Sequence, residues 1–295
     1  MIGRLLAANA LGDRKTNASR ELLQTALNGD QFFGVRIAAA DALAKHDSDE
    51  AFAILQASWQ QDDARVRSSV VGKLTGRFHD DTPGIIKEIL GNEKTPAIQS
   101  SAVRALGRFH GEDSKKQIIK HLNSASFRNE MAVAALSAIR QQNDPSYKKP
   151  LMKVLKKHED RFTSRGFGQG LGALAHVCKE QKNKTQVREY LVSLVNHQKT
   201  PVRTAAIGAL GTLGDDKAIS PLEALAESGD ERISRAAKSA IGKLREDKPT
   251  APKEVIDLRN EIAEMKKAST KLQKELKEIR DQLKAQNDAA EEEKE

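Results

Sequence analysis

One arrangement of apolar and polar positions recurs along the chain about every thirty residues. It reads GVRIAAADALAKH at 34–46, RVRSSVVGKLTGR at 65–77, AIQSSAVRALGRF at 97–109, PVRTAAIGALGTLGDD at 201–216 and RISRAAKSAIGKL at 232–244. Looser copies are IGRLLAANALGD at 2–13, FRNEMAVAALSAI at 127–139 and RGFGQGLGALAHV at 165–177. The anchoring residue falls at Leu11, Leu43, Leu74, Leu106, Leu136, Leu174, Leu210 and Ile241, in steps of 32, 31, 32, 30, 38, 36 and 31 residues. Within the copy at 34–46, Val35, Ala39, Ala42 and Leu43 stand at i, i+4, i+7 and i+8, one stripe of a helix. Its alanines allow a neighbouring helix to come close. This element is termed helix B.

A second amphipathic segment, helix A, precedes most copies. Its apolar sets are Phe52, Ile54 and Leu55; Ile85, Ile86, Ile89 and Leu90; Ile118, Ile119 and Leu122; Leu151, Val154 and Leu155; Val187, Leu191 and Leu194; and Ile219, Leu222 and Leu225. Asn28-Gly29-Asp30, Gln61-Asp62-Asp63 and Gly229-Asp230 supply turn and N-cap residues between A and B. Pro221 lies early in its helix, where a missing N–H costs little. A period of this length without β-type alternation predicts an all-α solenoid of about eight helical hairpins over residues 1–246, the first one partial. The longer steps predict extended surface loops near 144–147 and 179–185. Gly166, Gly168, Gly170 and Gly172 each weaken a helix by about 1 kcal/mol relative to Ala. Close helix packing, fraying and a bend against a partner are the alternatives there.

Beyond a Pro-containing linker at 247–254, a 3-4 spacing runs through Val255, Leu258, Ile262, Met265, Ser269, Leu272, Leu276, Ile279 and Leu283. It predicts a coiled-coil helix over 255–286, whose seam is Val255, Leu258, Ile262, Met265, Leu272, Leu276, Ile279 and Leu283. Glu261 and Glu275 take g positions and Lys266 and Arg280 the following e positions, which attract across a parallel homodimer. Ser269 weakens the seam, and a single helix packed back on the array remains the alternative. Residues 287–295 are an acidic tail expected to be disordered.

Charge changes the picture only locally. The formal net charge is +8, and the residues from Asp247 onward hold 11 Lys and Arg against 13 Asp and Glu. The first 246 residues therefore hold the basic excess, which would attract anions. Yet aromatic residues make up only 4%, low for stacking on bases. The positions two before each anchor are Asn9, Asp41, Gly72, Arg104, Ala134, Gly172, Gly208 and Ser239, a row expected to be exposed and not basic. Nucleic acid is therefore not the expected partner. The lysines cluster elsewhere, at Lys115, Lys116 and Lys120 and at Lys148, Lys149, Lys153, Lys156 and Lys157, on or beside helix A. No apolar run reaches about 18 residues, so no membrane span is expected, and residues 1–12 read as an amphipathic helix rather than a signal peptide. The single cysteine, Cys178, excludes an intrachain disulfide and fits a reducing compartment, the cytoplasm for a free-standing chain.

Candidate chemistry is sparse. His158-Glu159 is followed by Phe162 where a zinc-binding H-E-x-x-H motif needs histidine. Cys178 and His176 are two residues apart and do not face each other on a helix. His46, His79, His110 and His176 follow their anchors closely and suit helix C-termini. No P-loop, G-x-S-x-G or Cys-x-x-Cys motif occurs. No catalytic, cofactor-binding or metal residue is assigned, and the chain alone is expected to be non-catalytic. One helix-B position carries Arg4, Arg36, Arg67 and Arg203, with Asp30 and Asp63 shortly before two of them.

The recurring B pattern resembles HEAT repeats of the short, roughly thirty-residue kind, over about residues 1–246. That resemblance implies a curved solenoid with one helix row lining its concave side, and an Asp–Arg ladder running along the repeats. It also implies a scaffold that binds a protein partner. IGRLLAANAL and FFGVRIAAADALAKH further resemble the C-terminal region of bacterial aminopeptidase N-like zinc metallopeptidases. This implies a catalytic domain upstream, which would hold the zinc and every catalytic residue and be the partner of the array. The start of the chain inside a helix B, with no helix A before it, leads to the same expectation of a C-terminal part. A free-standing scaffold is one alternative. A nucleic-acid-binding protein resembling HEAT-type alkylpurine glycosylases is another, against which Trp59, the one tryptophan, lies in a helix A.

Overall fold

Each predicted A and B segment up to residue 246 forms a helix, and the two kinds alternate. The structure, a computed structural model, describes residues 1–246 together with Glu261, Met265, Ala268, Ser269 and Leu272. The linker, the acidic tail and the seam positions Val255, Leu258, Ile262, Leu276, Ile279 and Leu283 lie outside the described residues. A first B helix, α1 (Ile2–Asp13), is followed by A and B in turn: α2 (Asn17–Gly29) and α3 (Phe33–His46), α4 (Asp49–Ala57) and α5 (Ala64–Gly76), α6 (Thr82–Asn92) and α7 (Pro96–Ala105). The series continues with α8 (Glu112–Leu122) and α9 (Glu130–Gln142), α10 (Lys148–Lys157) and α11 (Ser164–Cys178), α12 (Thr185–Ser193) and α13 (Thr200–Leu213), α14 (Ile219–Ala226) and α15 (Glu231–Glu246). No strand occurs among the described residues. Met1–Leu244 form one compact unit and Arg245–Glu295 another.

Local chemistry sets the ends of these helices. Thr16 and Ser19 form a reciprocal capping box at the start of α2. Ser48, Asp63 and Thr163 accept from the Ala51, Arg65 and Gly166 amides at the starts of α4, α5 and α11. Pro96 and Pro201 occupy first turns, where the lost N–H is an orphan in any case. Gly214 ends α13 in the left-handed conformation, with φ 67°.

The anchors are where the stripe predicts. Leu43, Leu74, Leu106, Leu136, Leu174, Leu210 and Ile241 are buried, and Leu11 in the first repeat is half-buried. The helix-A leucines and isoleucines meet them to give a core that runs from Ala8 to Leu244. Consecutive B helices pack on one another, from α1 on α3 to α11 on α13, whereas most consecutive A helices barely meet. The B row is therefore the inner side of the first unit, and the A row the outer side. The lysines of α8 and α10 lie on the outer row.

Two features differ from the sequence expectation, and a third selects one of its alternatives. Ala134 is fully buried, whereas the other positions of its row are half-buried or exposed. The loop expected at 144–147 contains a 3-10 turn, Pro145–Tyr147, whose Tyr147 is wholly buried and donates its hydroxyl to Gln142 Oε1. The added residues bring an aromatic ring into the core, and that burial raises the Tyr147 pKa well above its ordinary value. The glycine-rich α11 is an unbroken helix. A Cβ on Gly168 would stand 2.8 Å from Ala205 Cβ, and one on Gly166 would stand 3.0 Å from Val133 Cγ2. Close packing against the neighbouring B helices therefore accounts for these two glycines.

This contact makes opposite outcomes follow from one kind of substitution. Gly168→Ala places a methyl group against the rigid Cβ of Ala205 and is expected to destabilise by about 1–3 kcal/mol. Gly72→Ala, in α5 with open space around it, is expected to stabilise by about 0.5–1 kcal/mol through helix propensity alone. Urea unfolding of both variants checks the sign of each.

Candidate functional site

The B helices are joined to their successors at both ends. At the N-terminal ends, Arg4 Nε donates to Asp30 Oδ2 at 2.7 Å and Arg203 reaches Asp230 Oδ2 at 3.4 Å. Arg67 Nε donates to Glu93 Oε2 at 2.8 Å. In each pair the arginine belongs to one repeat and the carboxylate lies just before the next helix B. Arg36 and Asp63 are not brought together. Arg36 Nη1 donates to Gln61 Oε1 at 3.2 Å, while Asp63 binds Arg65 at 2.6 Å. The Arg65 side chain and backbone amide hold the Asp63 carboxyl well below the ordinary carboxylate range.

Glu93 was not among the residues singled out from the sequence, and Asp230 was read there only as a turn and N-cap residue. Glu93 is the most enclosed of these carboxylates, with 2% of its side chain exposed. Burial alone would raise its pKa, but hydrogen bonds from Arg67, the Thr95 amide and the Thr95 hydroxyl outweigh this and hold it at about 2.

At the C-terminal ends, a side chain from the next repeat reaches back to carbonyls at the end of the preceding helix. His46 Nε2 lies 3.0 Å from the Leu11 oxygen, Arg108 donates to the Gly76 oxygen at 2.6 Å, and Gln142 donates to the Leu106 and Phe109 oxygens at 3.1 and 2.9 Å. His79 instead stacks on Phe52, with ring centroids 4.2 Å apart. His110 is exposed, and burial lowers the pKa of half-buried His176.

The other candidates are enclosed. Cys178 is buried, which raises its thiol pKa and removes it from reagents. Phe162 packs against Phe167, and Trp59, just beyond α4, is buried with Nε1 donating to Glu88. Among the described residues no group of His, Cys, Asp and Glu is placed to hold a metal ion. No described helix is long and apolar enough to cross a membrane. Of the seam, Met265 and Leu272 are helical and exposed, at 67% and 59%.

The face that remains is a groove of about 650 Å³ across α7, α9 and α11 on the inner row. Arg104 enters it from α7, Arg128 from the turn before α9, and Arg165 from the first turn of α11, with Glu130, Ser101 and Gln169 beside them. None of the three arginines forms an ion pair among the described residues. Arg128 and Asn129 both have left-handed backbone, with φ 51° and 57°. Ser126, rather than Asn129, caps α9 by accepting from the Met131 amide. Of these groove residues, only Arg104 lies on a row that the sequence marks as exposed; the placing of Arg128 depends on a backbone state that composition does not show.

Glu93 predicts a pH dependence. Its folded pKa is depressed, so its contribution is complete above the ordinary range near 4.3 and is lost as the pH falls through about 2. Glu93→Gln is expected to cost about 1–3 kcal/mol at pH 7 and to flatten the stability loss between about pH 5 and 2. Denaturant melts at pH 7, 4 and 2.5 measure both effects.

The comparison with family models agrees with this architecture. The family model described as HEAT repeats matches residues 2–75 and 151–242, together more than half of the chain. The sequence matches no curated relative. Similar solved structures include the complex of CpcE and CpcF of phycocyanin lyase from Nostoc sp. PCC7120, at 17% identity and TM-score 0.45, covering 82% of this chain and 92% of that one. Human deoxyhypusine hydroxylase in complex with glycerol is similar at 12% identity and TM-score 0.37, covering 83% and 98%. A designed armadillo repeat protein is similar at 15% identity and TM-score 0.35, covering 80% and 99%.

Proposed function

The chain belongs to the HEAT-repeat family, and from that premise we propose that it is a non-catalytic scaffold that binds a protein partner on its inner, B-helix face. The observation that carries this reading is the groove across α7, α9 and α11. It is assembled by three successive repeats, so a binder would contact the array rather than a single hairpin. Long faces built from repeated helices suit extended partners.

Two finer parts belong to the same proposal. The exposed, helical Met265 and Leu272 support a seam that joins two copies of the chain. The resemblance of IGRLLAANAL and FFGVRIAAADALAKH supports a place beside an aminopeptidase N-like zinc domain, where the array would bind that domain.

Photo-crosslinking residues at exposed inner positions Ser101, Ser137 and Gly208 are expected to give partner adducts in the source cells. The same residues at outer positions Lys116, Lys149 and Glu189 are expected to give none. Adducts confined to the outer positions would move the function to the A row. For the seam, light scattering is expected to give the mass of two chains, and Leu272→Asp to return the mass of one.

A further inference from the structure

We infer that the groove across α7, α9 and α11 takes an acidic polypeptide segment, its carboxylates bound by Arg104, Arg128 and Arg165. This rests on the scaffold reading and names the chemistry of its partner. Two independent observations carry it: the pairing of charges and the backbone at residues 128–129.

Many cations elsewhere on the B helices are paired with a carboxylate. Lys73 is 2.6 Å from Asp41, Arg65 is 2.6 Å from Asp63, and Arg235 pairs with Glu231. The groove differs in collecting charge: three guanidinium groups from three repeats, none of them in an ion pair among the described residues, share one concavity with a single carboxylate, Glu130, in its lining. Like charges collected in a cleft repel until an anion enters, and their field draws an anion in. A guanidinium presents a planar fork of donors that matches a carboxylate. Clusters of arginine are a recurring means of holding acidic motifs.

Backbone geometry points to the same place. Arg128 has φ 51° and ψ 18°, and Asn129 has φ 57° and ψ 34°. Non-glycine residues adopt this region at a cost, and such residues collect at binding sites. Asn129 is 2% exposed, and its buried Oδ1 has no hydrogen-bond partner. The turn thus spends stability at the position that sets Arg128 at the groove edge. Phe127 next to it is 76% exposed, with the Arg128 guanidinium 5.1 Å from its ring centroid. An aromatic face beside a cation suits an acidic side chain flanked by an apolar one.

The groove favours polypeptide over nucleic acid. The flanking positions of the inner row, Gly72 and Gly208, carry no charge, so no phosphate track extends to either side. Glu130 can accept from a peptide amide, a donor that a phosphate backbone lacks. Ser101 and Gln169 offer neutral donors and acceptors at the same depth.

The test is fluorescence anisotropy with the full chain and three labelled probes: a deca-glutamate peptide, a deca-glutamine peptide and a single-stranded 20-mer DNA. The glutamate peptide is expected to bind saturably, and the glutamine peptide not to bind. Arg104→Ala and Arg165→Ala are each expected to weaken it about fivefold, and the double variant about twenty-five-fold. Lys153→Ala with Lys156→Ala on α10 is expected to change nothing. Arg128→Gly removes the side chain and relieves the left-handed backbone, so weaker binding with a thermal midpoint at or above the parent's is expected.

A lower midpoint with unchanged binding would assign Arg128 to the fold and overturn its role. The inference is also overturned by no glutamate-peptide binding, by binding lost through the α10 lysines, or by tighter binding of the DNA in the groove. In each of those cases inner-face crosslinks would leave the scaffold reading standing, whereas their absence would sink both.

Discussion

Close approach between consecutive B helices is the constraint on which the rest of the array depends. A helix with many alanines buries little apolar area of its own, since each buried CH₂ is worth about 0.8 kcal/mol. It gains stability only if its neighbour comes near enough to touch along its length. Gly12 meets Ala42, Gly107 meets Ala138, Gly168 meets Ala205 and Gly211 meets Ala240. An added Cβ on Gly107 would lie 2.8 Å from Ala138 Cα, so there the two backbones set the spacing. The larger side chains, Leu, Ile and Phe, then fill the wedge between the A and B rows. Small residues on one side and large ones on the other open the A row relative to the B row, and that difference makes the B face the inner one.

Polar contacts at the helix ends fix the register of this packing. The Arg4–Asp30 and Arg203–Asp230 pairs have exposed or part-exposed partners, and such pairs are worth about 0–1 kcal/mol. Their value lies in direction: an arginine that finds its carboxylate only in the next repeat resists sliding of one hairpin past another. Arg67–Glu93 differs because the carboxylate is enclosed and also accepts from the Lys94 and Thr95 amides. Removing the arginine there would leave a buried charge partly unmatched, a larger penalty than an open pair carries. At the opposite ends His46, Arg108 and Gln142 reach carbonyls at the end of the preceding repeat and tie the two together.

Residues whose role follows from periodicity were legible in the sequence. The eight anchors and the A-helix stripes required only a helical period and a repeat length, and seven of the anchors are buried. Identity alone was a poorer guide to polar partners. Asp63 has the right residue type for the ladder, but its neighbour Arg65 is two residues away and captures it. Glu93 serves Arg67 from a position where the pattern suggested no acid. Tyr147 was hidden in a presumed loop, because an insertion can carry a core residue as readily as a surface one. The groove was the least legible feature: it needs three repeats in register and a left-handed turn, neither of which hydrophobic spacing encodes.

The location of that turn has an energetic logic. In a solenoid each repeat contacts chiefly its neighbours, so stability is close to a sum of local terms. A strained pair of residues is then carried by the helices beside it and not shared over the whole molecule. Two left-handed residues cost about 1–2 kcal/mol each. The helix that follows them, α9, buries Met131, Ala132, Ala134, Ala135, Leu136, Ala138 and Ile139, and lies between two B neighbours. Interior repeats are therefore where an array of this kind can hold a strained, charge-crowded turn. Arg104 and Arg128 lie between the two stretches that match the HEAT family model, residues 2–75 and 151–242.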